Sequence, residues 1–187
     1  MSIGFGLSFP AVDSNATRVI SRLFCISTPY PGSNKGITNI LSSLIPFKKP
    51  GDFIVAVGSL NGSIGGSEYL KTICKRVEGP IANINMRQEH SVQSMVLESI
   101  EDGIINSAHD LSDGGLAINI AESVIFADSH IGASLNLVRK LEDVELLFGE
   151  CPSVIIVTIS KDKLYDLVVL SKKYDVHTQT IGKVTAD

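Results

Sequence analysis

The amino-acid sequence predicts a layered α+β fold, a sheet with helices packed against it. Three observations carry that expectation. Short apolar runs bounded by glycine, proline or polar residues recur along the chain and suit strands. Between them lie stretches whose apolar residues repeat at three- and four-residue steps, as on one face of a helix. The separations are too short for long crossover connections throughout, which disfavours a barrel. With 187 residues and 44% hydrophobic content, the chain has material for an ordinary core and room for one domain with a short appendage.

The appendage is residues 1–49, rich in Ser, Gly, Pro and Asn, with Asp13 the only acidic residue before Asp52. It reads as a linker or the remnant of a preceding domain, and the main domain is set at residues 50–187. Apolar bursts such as "RVISRLFCIS" and "NILSSLIPF" each suit one strand or short helix, with "TPYPGSNKG" as punctuation between them. From "GDFIVAVGS" onward the elements sharpen. A buried strand is expected from Phe53 to Val57, followed by the glycine-rich "LNGSIGGSEYLKTICKRV". That segment passes into a helix with Leu70, Ile73 and Val77 on one face. "SVQSMVLESIEDG" aligns Val92, Met95, Val96 and Ile100, with Gly103 as the stop. "IINSAHD" reads as a strand, "LAINIAESVIFADS" as a largely buried helix from about Leu116, and "ASLNL" as a half-buried strand. "LEDVELLFGE" gives a short helix, "SVIIVTIS" the strongest strand, "KDKLYDLVVLSKKY" an amphipathic helix, and "VHTQTIGKV" a last strand.

Composition excludes several functions. A formal net charge of −4, with no Lys/Arg run, argues against nucleic acid or an anionic membrane as partner, because both need a concentrated basic face. Cys25, Cys74 and Cys151 are odd in number and far apart, which indicates neither a disulfide framework nor a thiolate metal site. No apolar run approaches a membrane span, and no secretory leader is evident. The expectation is a soluble cytoplasmic chain.

The chemistry is sought in "HDLSDGG". Asp110 ends an expected strand, Ser112 and Asp113 sit in the turn, and Gly114 with Gly115 lets backbone approach a ligand at a helix N-terminus. A carboxylate beside a phosphate site calls for a bridging divalent cation, which makes Asp110 a candidate magnesium ligand and Ser112 a candidate phosphate donor. The alternative is that Ser112 or Asp113 caps the following helix while the glycines fit a tight turn. "GSIGGSEYL" poses the same choice: Gly65 and Gly66 cradle an anion or merely start a helix, with Glu68 suited to the helix dipole. His90, His130 and His177 lack partners at metal-ligand spacing and read as ordinary exposed histidines. Cys151 lacks an identifiable base and reads as a structural thiol.

"GDFIVAVGSLNGSIGGSEYL", "SAHDLSDGGLAINIAES" and "LFGECPSVIIVTIS" occur in the order and spacing seen near the C-terminus of the phosphoribosylformylglycinamidine synthase family, and the resemblance covers about residues 28–187. It implies a three-layer α+β fold with a mixed sheet, like the C-terminal domain of aminoimidazole ribonucleotide synthetase and partly ferredoxin-like. It implies an ATP-dependent ligase of de novo purine synthesis that makes formylglycinamidine ribonucleotide from formylglycinamide ribonucleotide, with ammonia from a partner glutaminase. The family's general-base histidine and most of its magnesium carboxylates belong to upstream domains, so this chain alone is expected to be inactive. In large members the aspartate and serine of the turn hold a structural Mg-ADP. Carried over, this assigns Asp110 to magnesium, and Ser112 with Gly114 and Gly115 to ATP or ADP. The competing expectation is a non-catalytic docking domain without nucleotide binding; a kinase or selenophosphate-type enzyme stands third.

Overall fold

The structure, a computed structural model, describes residues 46–127, 130–138 and 141–186. Expectations placed on residues 1–45, the appendage among them, lie outside the described residues. Five strands are described: β1 (Phe53–Val57), β2 (Ser107–Asp110), β3 (Ile131–Leu135), β4 (Ile155–Ile159) and β5 (Thr178–Ala186). With them are helices α1 (Glu68–Thr72), α2 (Met86–Glu101), α3 (Gly115–Ile125), α4 (Asp143–Phe148) and α5 (Leu164–Tyr174), the last preceded by a 3-10 turn at Lys161–Lys163.

The sheet runs in the order β2-β4-β1-β5-β3. Every described pairing is antiparallel, which corrects the expected mixed sheet. The physical reason is strand insertion. The β1-α2-β2 unit is a crossover whose two strands are not neighbours, because β4 lies between them, and β1 likewise separates β4 from β5 in β4-α5-β5. Two interlocked split crossovers of this kind make the ferredoxin-like arrangement; β3 extends it at the β5 edge.

The neighbouring strands β1 and β4 are nearly continuous apolar runs because both sheet faces are covered. On one face Val55, Val57, Val157 and Ile159 pack with Val92, Met95 and Val96 of α2 and Leu167 and Leu170 of α5. On the other, Ile54, Ala56, Ile156, Ile181 and Val184 pack with Leu116 and Ile120 of α3. That is the three-layer arrangement, α2 and α5 over one face and α3 over the other. β1 alternates cleanly between the two cores, as a two-residue period demands.

Boundaries follow local chemistry. Asn85 opens α2 by accepting the amides of Arg87 and Gln88, so the helix starts earlier than its apolar periodicity suggested. Gly103, with φ of 62°, follows the helix end as anticipated. The helix expected to reach Val77 stops at Thr72. Lys75 then takes a positive φ of 56°, and Ile73 and Val77 are 65% and 78% exposed. Their helical spacing has no apolar surface to meet within the described residues, and helical stability comes mainly from such packing. The excursion continues through Ile81, Ile84 and Met86, all exposed.

Candidate functional site

β2 delivers Asp110 at the end of the sheet, and α3 returns from the turn across the face behind it. Asn119, on the second turn of α3 and buried, donates its side-chain amide to the carbonyls of Asp110 at 2.8 Å and His109 at 3.3 Å. His109 is enclosed beside it, with Nδ1 3.3 Å from Ser123 Oγ and Nε2 3.4 Å from Glu122 Oε2. Burial pulls its basicity below the ordinary value, against the opposing pull of the Asp110 and Glu122 carboxylates. Enclosure suits His109 to fastening β2 to α3, whereas His90, His130 and His177 are exposed as expected.

Asp110, Ser112 and Asp113 present themselves to solvent, while Gly114 and Gly115 are buried. Both glycines have positive φ, 81° and 67°. A Cβ on Gly115 would stand 2.7 Å from the Gly149 carbonyl oxygen, so the turn needs glycine both for its dihedrals and for its close approach to residues 148–149. The capping alternative is not realised: Gly114 is the N-cap of α3 and no side chain caps the helix. Ser112 contributes its carbonyl instead, accepting the Gly115 amide at 3.1 Å.

The Gly114 amide donates to Glu150 Oε1 at 2.9 Å. The same oxygen accepts the Glu68 amide at 2.8 Å. The first turn and the helix start that follows the second therefore hold one anion between them, and it is a side chain of this chain; Gly65 and Gly66 do not cradle it, Gly66 donating its amide to the Glu78 carbonyl instead. The second turn also starts a helix, with Ser67 capping α1 by accepting the Leu70 amide at 3.3 Å. Around Glu150 the segments are bound tightly: its backbone pairs with Ser63, Gly62 and Gly149 cross at backbone distance, and the Tyr69 and Phe148 rings stack 5.1 Å apart.

Glu150 was not among the residues read from the sequence, because nothing local in "LFGECPS" says which amides its carboxylate meets. The available signal was the company it keeps, since its motif stands with "GGSEY" and "HDLSDGG" in one ordered set. Lys71 was also missed. It bonds Glu68 Oε2 at 2.9 Å, and that bond, ahead of the Glu68 and Asp113 charges, raises its ammonium above the ordinary value. Cys151 is buried, and burial pushes its thiol up, as a structural thiol requires.

Among the described residues no three His, Cys, Asp or Glu side chains converge as a metal centre. The turn offers oxygen donors only, the exposed Asp110 and Asp113 carboxylates and the Ser112 hydroxyl, while Asn119 behind it on α3 keeps a buried Oδ1 with no partner. A small set of hard donors fits magnesium, which commonly takes one or two carboxylates and completes its shell with phosphate oxygens and water. It does not fit a self-sufficient zinc site.

Residues 49–187 match the family model described as AIR synthase related protein, C-terminal domain. The chain belongs to this family. Among sequence relatives, the phosphoribosylformylglycinamidine synthase subunit PurL of Thermoanaerobacter sp. (strain X514) is 37% identical over 161 residues, 83% of this chain and 22% of that protein. The corresponding subunit of Moorella thermoacetica is 31% identical over 82% of the chain and 21% of its own length. The chain thus spans about a fifth of the curated relatives it matches. Among solved structures, Thermotoga maritima PurL complexed with FGAR superposes with a TM-score of 0.60 at 21% identity, over 76% of this chain and 25% of that one. The same protein complexed with ATP gives 0.59 at 21% identity, over 80% and 24%. At that identity the superpositions establish the AIR synthase-related C-terminal fold.

Proposed function

We propose that this chain is the C-terminal domain of a phosphoribosylformylglycinamidine synthase, the ATP-dependent ligase that converts formylglycinamide ribonucleotide to its amidine in de novo purine biosynthesis. The observation that carries the reading is the 37% identity to a PurL subunit across 83% of the chain. The complexes of Thermotoga maritima PurL with ATP and FGAR support nucleotide and substrate chemistry in the parent protein. Residues 50–187 form the domain, with residues 1–49 a linker or the remnant of a preceding domain. The parent works in the cytoplasm with a glutaminase partner that supplies ammonia, and this domain alone does not turn over. No described helix is long and apolar enough to cross a membrane.

Within this domain the "DLSDGG" turn is half of a metal-nucleotide site. Asp110 is the magnesium ligand, Ser112 the hydroxyl donor to a phosphate oxygen, and Gly114 with Gly115 bring backbone close to the phosphates. Magnesium, when bound, neutralises phosphate charge that would otherwise meet the Asp110 and Asp113 carboxylates. Asn119 and His109 hold the end of β2 so that Asp110 projects from a fixed strand terminus. A non-catalytic docking domain is the second reading, favoured by the exposed apolar side chains of Ile73, Val77, Ile81, Ile84 and Met86.

A thermal melt with and without millimolar Mg-ADP separates the two. A ligand specific for the folded state adds about 2.7 kcal/mol at a hundredfold excess over Kd, roughly 5–10 °C for a domain of this size. The nucleotide reading expects that shift in the wild type and its loss in Asp110→Ala. An unshifted wild type favours the docking domain.

A further inference from the structure

Glu150 stands outside the nucleotide site as read, yet its carboxylate touches the turn that forms it. One oxygen, Oε1, accepts the Gly114 amide at 2.9 Å and the Glu68 amide at 2.8 Å. Two converging backbone amides are a place where an external phosphate oxygen would otherwise be received, and here a carboxylate has taken it. Charge-assisted bonds of this kind are roughly twice as strong as neutral ones. Backbone pairing with Ser63 and the Tyr69–Phe148 stack keep the Glu150 side chain in place, and Glu150 lies 36 residues from Gly114 and 82 from Glu68, so only the folded domain assembles the arrangement.

We infer that Glu150 is an internal anion with two consequences: it positions the "DLSDGG" turn against α1, and its negative charge directly behind the turn repels metal-free phosphate, so that nucleotide enters this turn only with its divalent cation. The second part rests on the proposed nucleotide site; the first does not. With Asp110 and Asp113 exposed on the same turn and Glu150 behind it, an uncomplexed polyphosphate approaches three carboxylates. Lys71 is a cation within electrostatic reach of Asp113, and it is already paired with Glu68. Glu150 is a positioning and specificity residue in this account, without contact to reacting atoms.

The first arm of the test compares wild type with Glu150→Gln, which keeps an oxygen acceptor for both amides and removes the charge. ADP affinity is read by thermal shift of the whole chain, in magnesium and in EDTA. The wild type is expected to respond in magnesium alone, and Glu150→Gln to gain magnesium-free ADP binding by roughly tenfold or more, the scale of removing one nearby charge at intermediate dielectric. A variant as dependent on magnesium as the wild type, or a wild type that binds ADP equally well in EDTA, overturns the selectivity. The second arm needs no nucleotide: Glu150→Ala leaves two amides without their acceptor, and added formate is expected to raise its melting temperature while leaving the wild type unmoved. If that variant does not fold, its refolding yield with and without formate reads the same property. Failure of formate to help overturns the internal-anion role. An absence of any ADP response in either protein, with formate rescue intact, retires the nucleotide site and leaves Glu150 as the anion that holds the turn.

Discussion

Alanine at Gly115 and at Gly103 separates backbone strain from lack of space. Both positions have a left-handed backbone, with φ of 67° and 62°. Each substitution therefore carries the same conformational cost, about 1–2 kcal/mol for a Cβ in that region, offset by some 0.4–1 kcal/mol from the stiffer unfolded chain. At Gly103 nothing lies within 4 Å of the added methyl, so the loss stays near 1 kcal/mol. At Gly115 the methyl meets the Gly149 carbonyl oxygen at 2.7 Å and the Phe148 carbonyl carbon at 2.8 Å. Both are backbone atoms that no rotamer change removes, and overpacking of that kind adds about 1–3 kcal/mol. With roughly 2–4 °C lost per kcal/mol in a domain of this size, Gly103→Ala melts about 2–4 °C below wild type and Gly115→Ala roughly 4–16 °C below. Circular dichroism melts at matched concentration give the comparison. Equal losses, or a smaller one at Gly115, would refute the close packing of the turn on residues 148–149 from which the site is built.

Leu116, fully buried at the start of α3, is expected to cost about 2–5 kcal/mol on replacement by alanine, read as a lower urea midpoint with unchanged slope. In a Cys25→Ser background, a thiol reagent is expected to modify exposed Cys74 quickly and buried Cys151 only on unfolding; equal rates would contradict the burial. Glu98 is held below its ordinary carboxyl value first by its hydrogen bond from Lys173 and then by that from Tyr174. A carboxyl depressed in the folded state stabilises above its unfolded value, about 4.3, and that contribution fades as pH falls through the folded value. Glu98→Gln should therefore flatten the acid limb of the stability profile below about pH 4.3 and leave its neutral slope unchanged, as followed by denaturant midpoints against pH.

How far the sequence reaches can be judged element by element. β1 is legible at Phe53–Val57, because glycines bound a continuous apolar run that only a strand covered on both faces would need. α3 begins within one residue of its expected start, and Gly103 ends α2, both through local chemistry. Legibility stops where partners decide. Ile73 and Val77 have helical spacing, but α1 ends at Thr72, since periodicity does not reveal whether a surface waits for them. The crossovers imply parallel neighbours until β4 and β1 are seen inserted between their strands. At the turn, the sequence brings Asp110, Ser112, Gly114 and Gly115 together because they are contiguous. It is silent on Glu150, whose role comes from a contact 36 residues away.

The most direct measurement is an amide NMR titration of the whole chain with Mg-ADP. The account predicts shifts concentrated at Asp110, Ser112, Gly114 and Gly115, with smaller ones relayed to Glu68 and Glu150, and their disappearance in Asp110→Ala. No shifts, or shifts confined to the apolar excursion from Ile73 to Met86, would contradict a metal-nucleotide half-site in this turn.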